Sequence, residues 1–542
     1  MKEKKEQEND LLIPINLEEK PEEDSEKKLK EELSALRIML QTVRIATPMA
    51  LSFTFTASEI ATAMMVARIS EDDPDSYLAA ATLITTTTNV LACISIAPLF
   101  AMSIRASKKQ GKLINEEAEV VQDPIKIERL RSKIANIFKS GVGVSTLIMP
   151  LPFLGMYFSK SILMDWFGQN EHIAELTQQN LRAYSFALPG LMYRIAAEQM
   201  MFAFNKTTPA MAIGLGSFAV GTGLAYFLTF GPPKQGLAGI GYGYVAESYL
   251  TCLGFCLYLA KNKIFKDINF FNFLKLDKDI LQQAKKMLKL GLPITLQMGF
   301  ELSAALLIGM FSGWLGQDQL AAQNFATQLF IFAVIPSVAL GQTVTQEVSR
   351  LIGQQEFRNA MRFARYGLLT SLGLVGTIAI PLAIKPEWLI NTLSLSVGDK
   401  ALQISKTLIP LAATQTVIDT AGYGMTQALR AANDSNIPTY SKISCLVFGI
   451  LLAYALGLHT SLDIYGIEIG LLIGVALGSM ILLPQWINGT NQTTMEKSHL
   501  GIIEAPKTES IYGRVKQLFF SKADKQTPSL PGYERIEGYD GP

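Results

Sequence analysis

The sequence predicts an all-α membrane protein: twelve transmembrane helices in two six-helix lobes, related by a pseudo-twofold axis along the membrane normal. Three observations predict it: charge is scarce between the two ends, uncharged stretches of about 20 residues recur, and the layout of the first half returns in the second. Of 542 residues, 18% are charged and 49% apolar, against roughly 25% charged in ordinary soluble domains. The 48 Lys and Arg and 47 Asp and Glu also crowd to the ends. Residues 1–40 hold 20 of them and residues 496–542 hold 14, which leaves 61 across the 455 between, or about 13%. A water-facing surface is not covered at that density, so lipid solvates the middle.

The same composition excludes other classes. A net charge of +1 offers no basic stripe for nucleic acid. Cys93, Cys252, Cys256 and Cys445 lie in apolar stretches, and His172, His459 and His499 are scattered, so no metal site and no disulfide framework is expected. Cys252 and Cys256 share a helix face, which ordinary helix packing explains. The opening MKEKKEQEND is polar and does not read as a secretory signal. No GxxxxGK[ST] loop and no Ser/His/Asp constellation is present, so neither an ATP-driven pump nor an enzyme is expected.

Crossing about 30 Å at 1.5 Å per residue needs about 20 residues. Twelve such spans fall near 42–67, 77–104, 138–159, 183–205, 208–230, 237–260, 288–314, 319–346, 366–384, 407–429, 438–459 and 463–487. The domain reading is a charged tail over 1–40, an N-lobe over 41–261, a linker over 262–287, a C-lobe over 288–487 and a second tail over 488–542. Loop charge sets the orientation, because cytoplasmic loops keep the Lys and Arg. The two-three loop carries Arg105, Lys108, Lys109, Lys112, Lys126, Arg129, Arg131 and Lys133. The six-seven loop carries Lys261, Lys263, Lys266, Lys275, Lys278, Lys285, Lys286 and Lys289, and the eight-nine loop adds Arg350, Arg358, Arg362 and Arg365. Glu71–Pro74, Gly316–Gln319 and His459–Asp463, on the opposite side, contain none. Both termini are therefore expected in the cytoplasm of a multi-pass protein, with a bacterial inner membrane fitting the pattern. Residues 1–40 read as a solvated Glu/Lys-rich segment, and 511–520 either as an interfacial helix or as part of a solvated tail.

The halves repeat at an offset of about 245 residues. PMALSFTFTASEIATAMMVARIS from Pro48 leads through an acidic loop to LAAATL at Leu78. LPITLQMGFELSAALLIGMFSGWLG from Leu292 leads through GQDQ to LAAQNF at Leu320. Six crossings per half is even, so the halves enter from the same side as parallel repeats and leave a central cavity between them.

Three segments carry a resemblance to a known family: Gly291 to Phe330, Ala339 to Gln355, and Val417 to Asp434, with an acid in the seventh span and another before the Leu-Arg end of the tenth. They resemble the multidrug and toxic compound extrusion (MATE) family. The resemblance implies efflux of bulky, often cationic organic compounds, driven by inward flow of H⁺ or Na⁺ and needing no further cofactor. Small-molecule substrates, the lipid bilayer and no nucleic acid are the expected partners, for a chain acting as a monomer.

Buried charge then points to the mechanism. An ionisable side chain at mid-membrane costs about 2.5–3.5 kcal/mol or more. Glu301 and Asp419 sit at the middles of the seventh and tenth spans, where a proton or a Na⁺ could neutralise an acid pair. Gln297 lies one turn before Glu301, Tyr423 one turn after Asp419, and Asn324 and Gln328 share a face of the eighth span. The alternative is that the two acids only lock helices together by hydrogen bonds. In the N-terminal half, Thr62 stands where the family pattern carries an Asp, and Gly221 and Ala225 stand where its polar partners belong. That half offers Glu59, Glu247, and the pair Arg194 and Glu198, in which Arg194 is expected to neutralise Glu198 one turn on. Glu59 and Glu247 on the cavity wall would attract a cationic substrate. Met49, Met64, Met65, Met200, Met201, Met298, Met310 and Met425 are candidates for an adaptable wall, and Pro189, Pro336, Pro410, Gly291, Gly341, Gly422 and Gly424 for bends.

Two other classes compete. A lipid-linked precursor flippase of a related two-lobed fold would favour a cationic cavity to hold phosphate, and Arg194 is the one mid-membrane base in view. A non-transporting scaffold or effector would use the tails, but gives no account of the buried ionisable residues.

Overall fold

The computed structural model describes residues 34–69, 74–272, 278–388, 399–432 and 436–500. The first crossing is α1 (Ala35–Ser52) continued by α2 (Thr54–Ile69), parted where Phe53 leaves helical geometry at ψ 65°. The second is α3 (Pro74–Ile96), a tight turn over Ala97–Leu99, and α4 (Phe100–Glu117). Pro98 lies in that turn and has no N–H to continue a helical ladder. The third is α5 (Pro124–Ile148) and α6 (Pro150–Tyr157), opened by the Asp123 carboxylate, which accepts from the Ile125 and Lys126 amides. A short helix, α7 (Ser159–Asp165), leads to α8 (Glu171–Ser185) and α9 (Leu188–Ala203), the fourth crossing. Pro189 explains their separation. With its N–H missing, Phe186 and Ala187 turn back onto the carbonyls three residues before, at 3.2 and 2.7 Å.

The fifth and sixth crossings are α10 (Thr207–Phe230) and α11 (Leu237–Lys261), and the single turn α12 (Lys263–Lys266) follows. The C-lobe continues with α13 (Lys278–Leu315), α14 (Gln317–Gly353), α15 (Phe357–Ile384), α16 (Asp399–Ala431), α17 (Asn436–Leu458) and α18 (Asp463–Gly489), then a short α19 (Gln492–Leu500). Gly316, at φ 140°, makes the reversal between α13 and α14, a backbone that side chains rarely permit. Twelve crossings result, six in each lobe. Among the described residues, seven of them run long and apolar enough to span a bilayer by composition alone. The first, fourth, sixth, eighth and tenth do not meet that measure, and these are the crossings that hold most of the buried polar groups. Leu147, Leu151, Phe227, Leu451 and Met480 stand exposed on the outer faces, as lipid-facing side chains do.

Each lobe has its own apolar core. One gathers Met102, Phe138, Leu188 and Phe202, and the other Phe311, Leu329, Leu408 and Ile467. The lobes meet at the end that carries the basic loops. There α14 packs on α4 and α1, and α13 on α5 and the turn at 97–99. The approach is backbone to backbone. A Cβ added at Gly111 would lie 2.0 Å from the Arg350 carbonyl oxygen, and one at Gly353 2.3 Å from that of Lys108. Gly291 meets the Pro98 carbonyl in the same way, at 2.7 Å. Arg105 donates to the backbone and side-chain oxygens of Gln283, Asn136 to Asp279 at 3.2 Å, and Ser140 to the Ile280 carbonyl at 2.8 Å.

Within the C-lobe, glycines also let helices lie close together. Gly341 faces the Tyr423 ring, Gly422 faces Ser479, and Gly424 faces Leu368. Of the methionines expected in an adaptable wall, Met49, Met200, Met201 and Met425 are buried in packed cores, whereas Met64 and Met310 are exposed.

Candidate functional site

Two clusters of charge lie within the crossings, one in each lobe. In the C-lobe, Gln297 and Glu301 are one turn apart on α13, so they share a face. The Gln297 amide donates to Glu301 Oε1 at 2.8 Å, and its carbonyl oxygen accepts from Arg430 at 2.8 Å. On α16, Asp419, Tyr423 and Arg430 recur at spacings of four and seven, again a single face. The two faces are joined by a residue that the sequence did not bring forward. Lys442, on α17, donates to Asp419 Oδ1 at 2.9 Å and stands 3.7 Å from Glu301 Oε1. Its ammonium also lies 5.7 Å from the centre of the Tyr423 ring.

Glu301 and Asp419 therefore come close enough to share one cation, and the cation between them belongs to the chain. The network runs Arg430, Gln297, Glu301, Lys442, Asp419: two acids and two bases, formally neutral when all are ionised. It is not sealed. The Glu301 side chain is 41% exposed and that of Asp419 25%, against 11% for Lys442. The acid pair is therefore half-open, with Lys442 the more enclosed partner.

A lysine one or two turns inside a span ordinarily extends its stem toward the nearer water. Lys442 instead points into the lobe, and nothing in its neighbours Ser441 and Ile443 announces that. Glu468 on α18 is a further acid missed. It is buried near Gln323 of α14, and its Oε2 has no hydrogen-bond partner among the described residues. Gln323 adjoins Asn324, whose side chain, like those of Gln328 and Glu59, lies outside the described residues.

In the N-lobe, Arg194 acts on two acids. Glu198, one turn on along its own helix, feels its charge as expected, and the Arg194 Nη1 also reaches 3.6 Å to Glu247 on α11, against which Gly221 lets α10 lie close. A Cβ at Gly221 would come 2.6 Å from the Glu247 Cβ. Glu247 also accepts from Ser58 at 2.9 Å, Thr62 and Tyr244 share a hydrogen bond of 2.9 Å, and the Ser52 hydroxyl donates to the Met49 carbonyl at 2.7 Å. Ser58, Thr62, Gly221, Ala225, Tyr244 and Glu247 line a small cleft between α2, α10 and α11. Thr62, Gly221 and Ala225 thus line the same cleft as the buried acid Glu247. The described residues hold no group of three or more His, Cys, Asp and Glu placed to bind a metal ion, and all four cysteines are free.

Known proteins resemble this arrangement at two levels. A family model described as MatE matches residues 293–455. A probable multidrug resistance protein NorM of Pasteurella multocida is 24% identical over 362 residues, covering 65% of this chain and 77% of that protein. Its namesake in Bacillus subtilis is 25% identical over 359 residues, with the same coverage. Among solved structures, the eukaryotic MATE transporter AtDTX14 superposes with a TM-score of 0.72 at 16% identity, over 86% of this chain and all of that one. The bent form of the Vibrio cholerae MATE transporter VcmN does so at 0.69 and 14% identity, over 86% and 99%.

Proposed function

We propose, on the premise that the chain belongs to the multidrug and toxic compound extrusion family, that it is a secondary active exporter exchanging a small inward-moving cation for an organic, often cationic compound. The observation that carries this reading is the pair of interior charge networks: Glu301, Asp419, Lys442 and Arg430 in one lobe, and Glu247 and Arg194 in the other. A scaffold has no use for so much charge within its crossings, where each ionisable group costs free energy.

The lobes touch at the basic end, which loop charge assigns to the cytoplasm. On this reading, parting of the lobes at that end is the step that would open the substrate path to the cytoplasm. A phosphate-holding flippase is disfavoured, because Lys442, Arg430 and Arg194 are each committed to a side chain of the network rather than free to receive an anion. The deciding experiment is purified protein in liposomes, with a fluorescent cation inside and pH and Na⁺ gradients imposed separately. Efflux driven by either gradient upholds the exporter, and a flux indifferent to both overturns it.

A further inference from the structure

The C-lobe network already contains a cation. Two carboxylates close enough to share a ligand would ordinarily attract a monovalent metal ion, since nearby like charges are stabilised by a positive one between them. Here that place is taken by the Lys442 ammonium, 2.9 Å from Asp419 and 3.7 Å from Glu301. We propose that Lys442 is the specificity-determining residue of the ion site: its ammonium holds the seat between Glu301 and Asp419, so the protein binds no Na⁺ there and its exchange is driven by protons. The inference rests on the reading of the chain as a cation-coupled exporter and names which cation couples.

The argument is one of charge and space. With Lys442 in place the network carries two negative and two positive groups. A Na⁺ added to it would be a third positive charge within a few ångströms of an ammonium, in surroundings where like charges repel strongly. A Na⁺ would have to expel the Lys442 side chain from its two carboxylate contacts. Its stem lies in van der Waals reach of Gly422, which itself packs against Ser479. The groups facing the ammonium are Glu301 from α13 and Asp419 and Tyr423 from α16, with Arg430 reaching Glu301 through Gln297. From α18 the near group is the neutral Ser479, whose hydroxyl donates to the Ile418 carbonyl. The buried acid of that helix, Glu468, is eleven residues, about 16 Å, further along. Among the described residues, then, no additional carboxylate stands ready to hold a second cation.

The experiment uses the full chain in detergent, with NaCl exchanged for choline chloride at constant ionic strength. Saturable ²²Na⁺ binding and the Na⁺-dependent rise in Tm are both read, because a ligand that binds the folded form raises Tm by mass action. Wild type is expected to show neither. Lys442→Met, which keeps the length of the stem but removes the charge, is expected to acquire both, and to lose them again in Lys442→Met with Asp419→Asn. Lys442→Arg, which keeps the charge, is the variant to read if the methionine variant is not monodisperse, and it is expected to stay Na⁺-indifferent. In liposomes, wild-type efflux should follow a pH gradient and remain unchanged within twofold on adding a Na⁺ gradient. Saturable Na⁺ binding by wild type that Asp419→Asn abolishes, or a monodisperse Lys442→Met as indifferent to Na⁺ as wild type, overturns the proposal. Because Na⁺ binding is read without transport, a failure of dye efflux alone would remove the exporter reading and leave the assignment of the cation seat standing.

Discussion

Asn205 donates to Glu347 at 2.6 Å, tying the end of α9 to α14 across the seam between the lobes. Glu347 is buried, and its second oxygen receives Arg350 of its own helix. Asn205 also holds a left-handed backbone, φ 55°, which asparagine and glycine tolerate best. Asn205→Gly therefore deletes the amide without straining the chain. A hydrogen bond to a charged group contributes about 1.5–3 kcal/mol, so its loss should favour parted lobes tenfold or more. Pulsed electron resonance between spin labels on α4 and α14 at the basic end should show a longer second distance gaining population. An unchanged distribution would mean that this bond does not hold the seam.

Steric contact at the seam can be probed independently of charge. Gly111→Ala places a Cβ about where the Arg350 carbonyl stands, whereas Gly143→Ala meets nothing within 4 Å. The first is expected to keep the lobes from closing and to lower efflux at least tenfold with normal membrane insertion. The second should behave as wild type. Equal activity of the two variants would show that closure does not require the helices to touch here.

Neutralising either acid of the C-lobe should uncouple transport without unfolding the protein, because Lys442 retains the other carboxylate as a partner. For Asp419→Asn and Glu301→Gln, gel filtration in detergent is expected to be unchanged and gradient-driven efflux at least tenfold lower. Undiminished efflux in both would remove the site from the mechanism.

The N-lobe acid can be displaced as well as neutralised. Gly221→Val puts bulk against the Glu247 Cβ and should push that carboxylate off Ser58 and Arg194. It is expected to weaken binding of a cationic dye severalfold, as Glu247→Gln and Glu59→Gln should, while a neutral compound binds as before. Fluorescence titration with one dye of each kind measures the difference. Equal losses for both compounds would argue for a general packing defect.

The residues differ in how openly the sequence declares them. Charge depletion and helix length fixed the crossings, because lipid leaves the chain only helices to satisfy its backbone. The breaks at Pro98, Pro150 and Pro189 are written in residues that lack an N–H. Glu301 and Asp419 stand out because a mid-span acid has no cheap explanation. Lys442 does not, since a lysine near a helix start usually reaches for water, and only the packing of α17 against α13 turns it inward. The second partner of Arg194 was likewise hidden. Spacing of four along one helix points to Glu198, but nothing in the sequence brings Glu247 of another helix to within 3.6 Å of its guanidinium.

The course of α1 has a consequence of its own. Ile38, in its first turn, is fully enclosed among Val344, Val348 and Phe363 of the second lobe, together with Met495 of α19, while Met49, three turns on, belongs to the core of the first. This helix is moored at both shores. When the halves pull apart at that end, either the Ile38 anchorage slips or α1 is dragged out of line with α2, and the interruption at Phe53 supplies the joint at which it can swing. Ile38 and Met495 share one berth, so a pull on either α1 or α19 is felt directly at that joint.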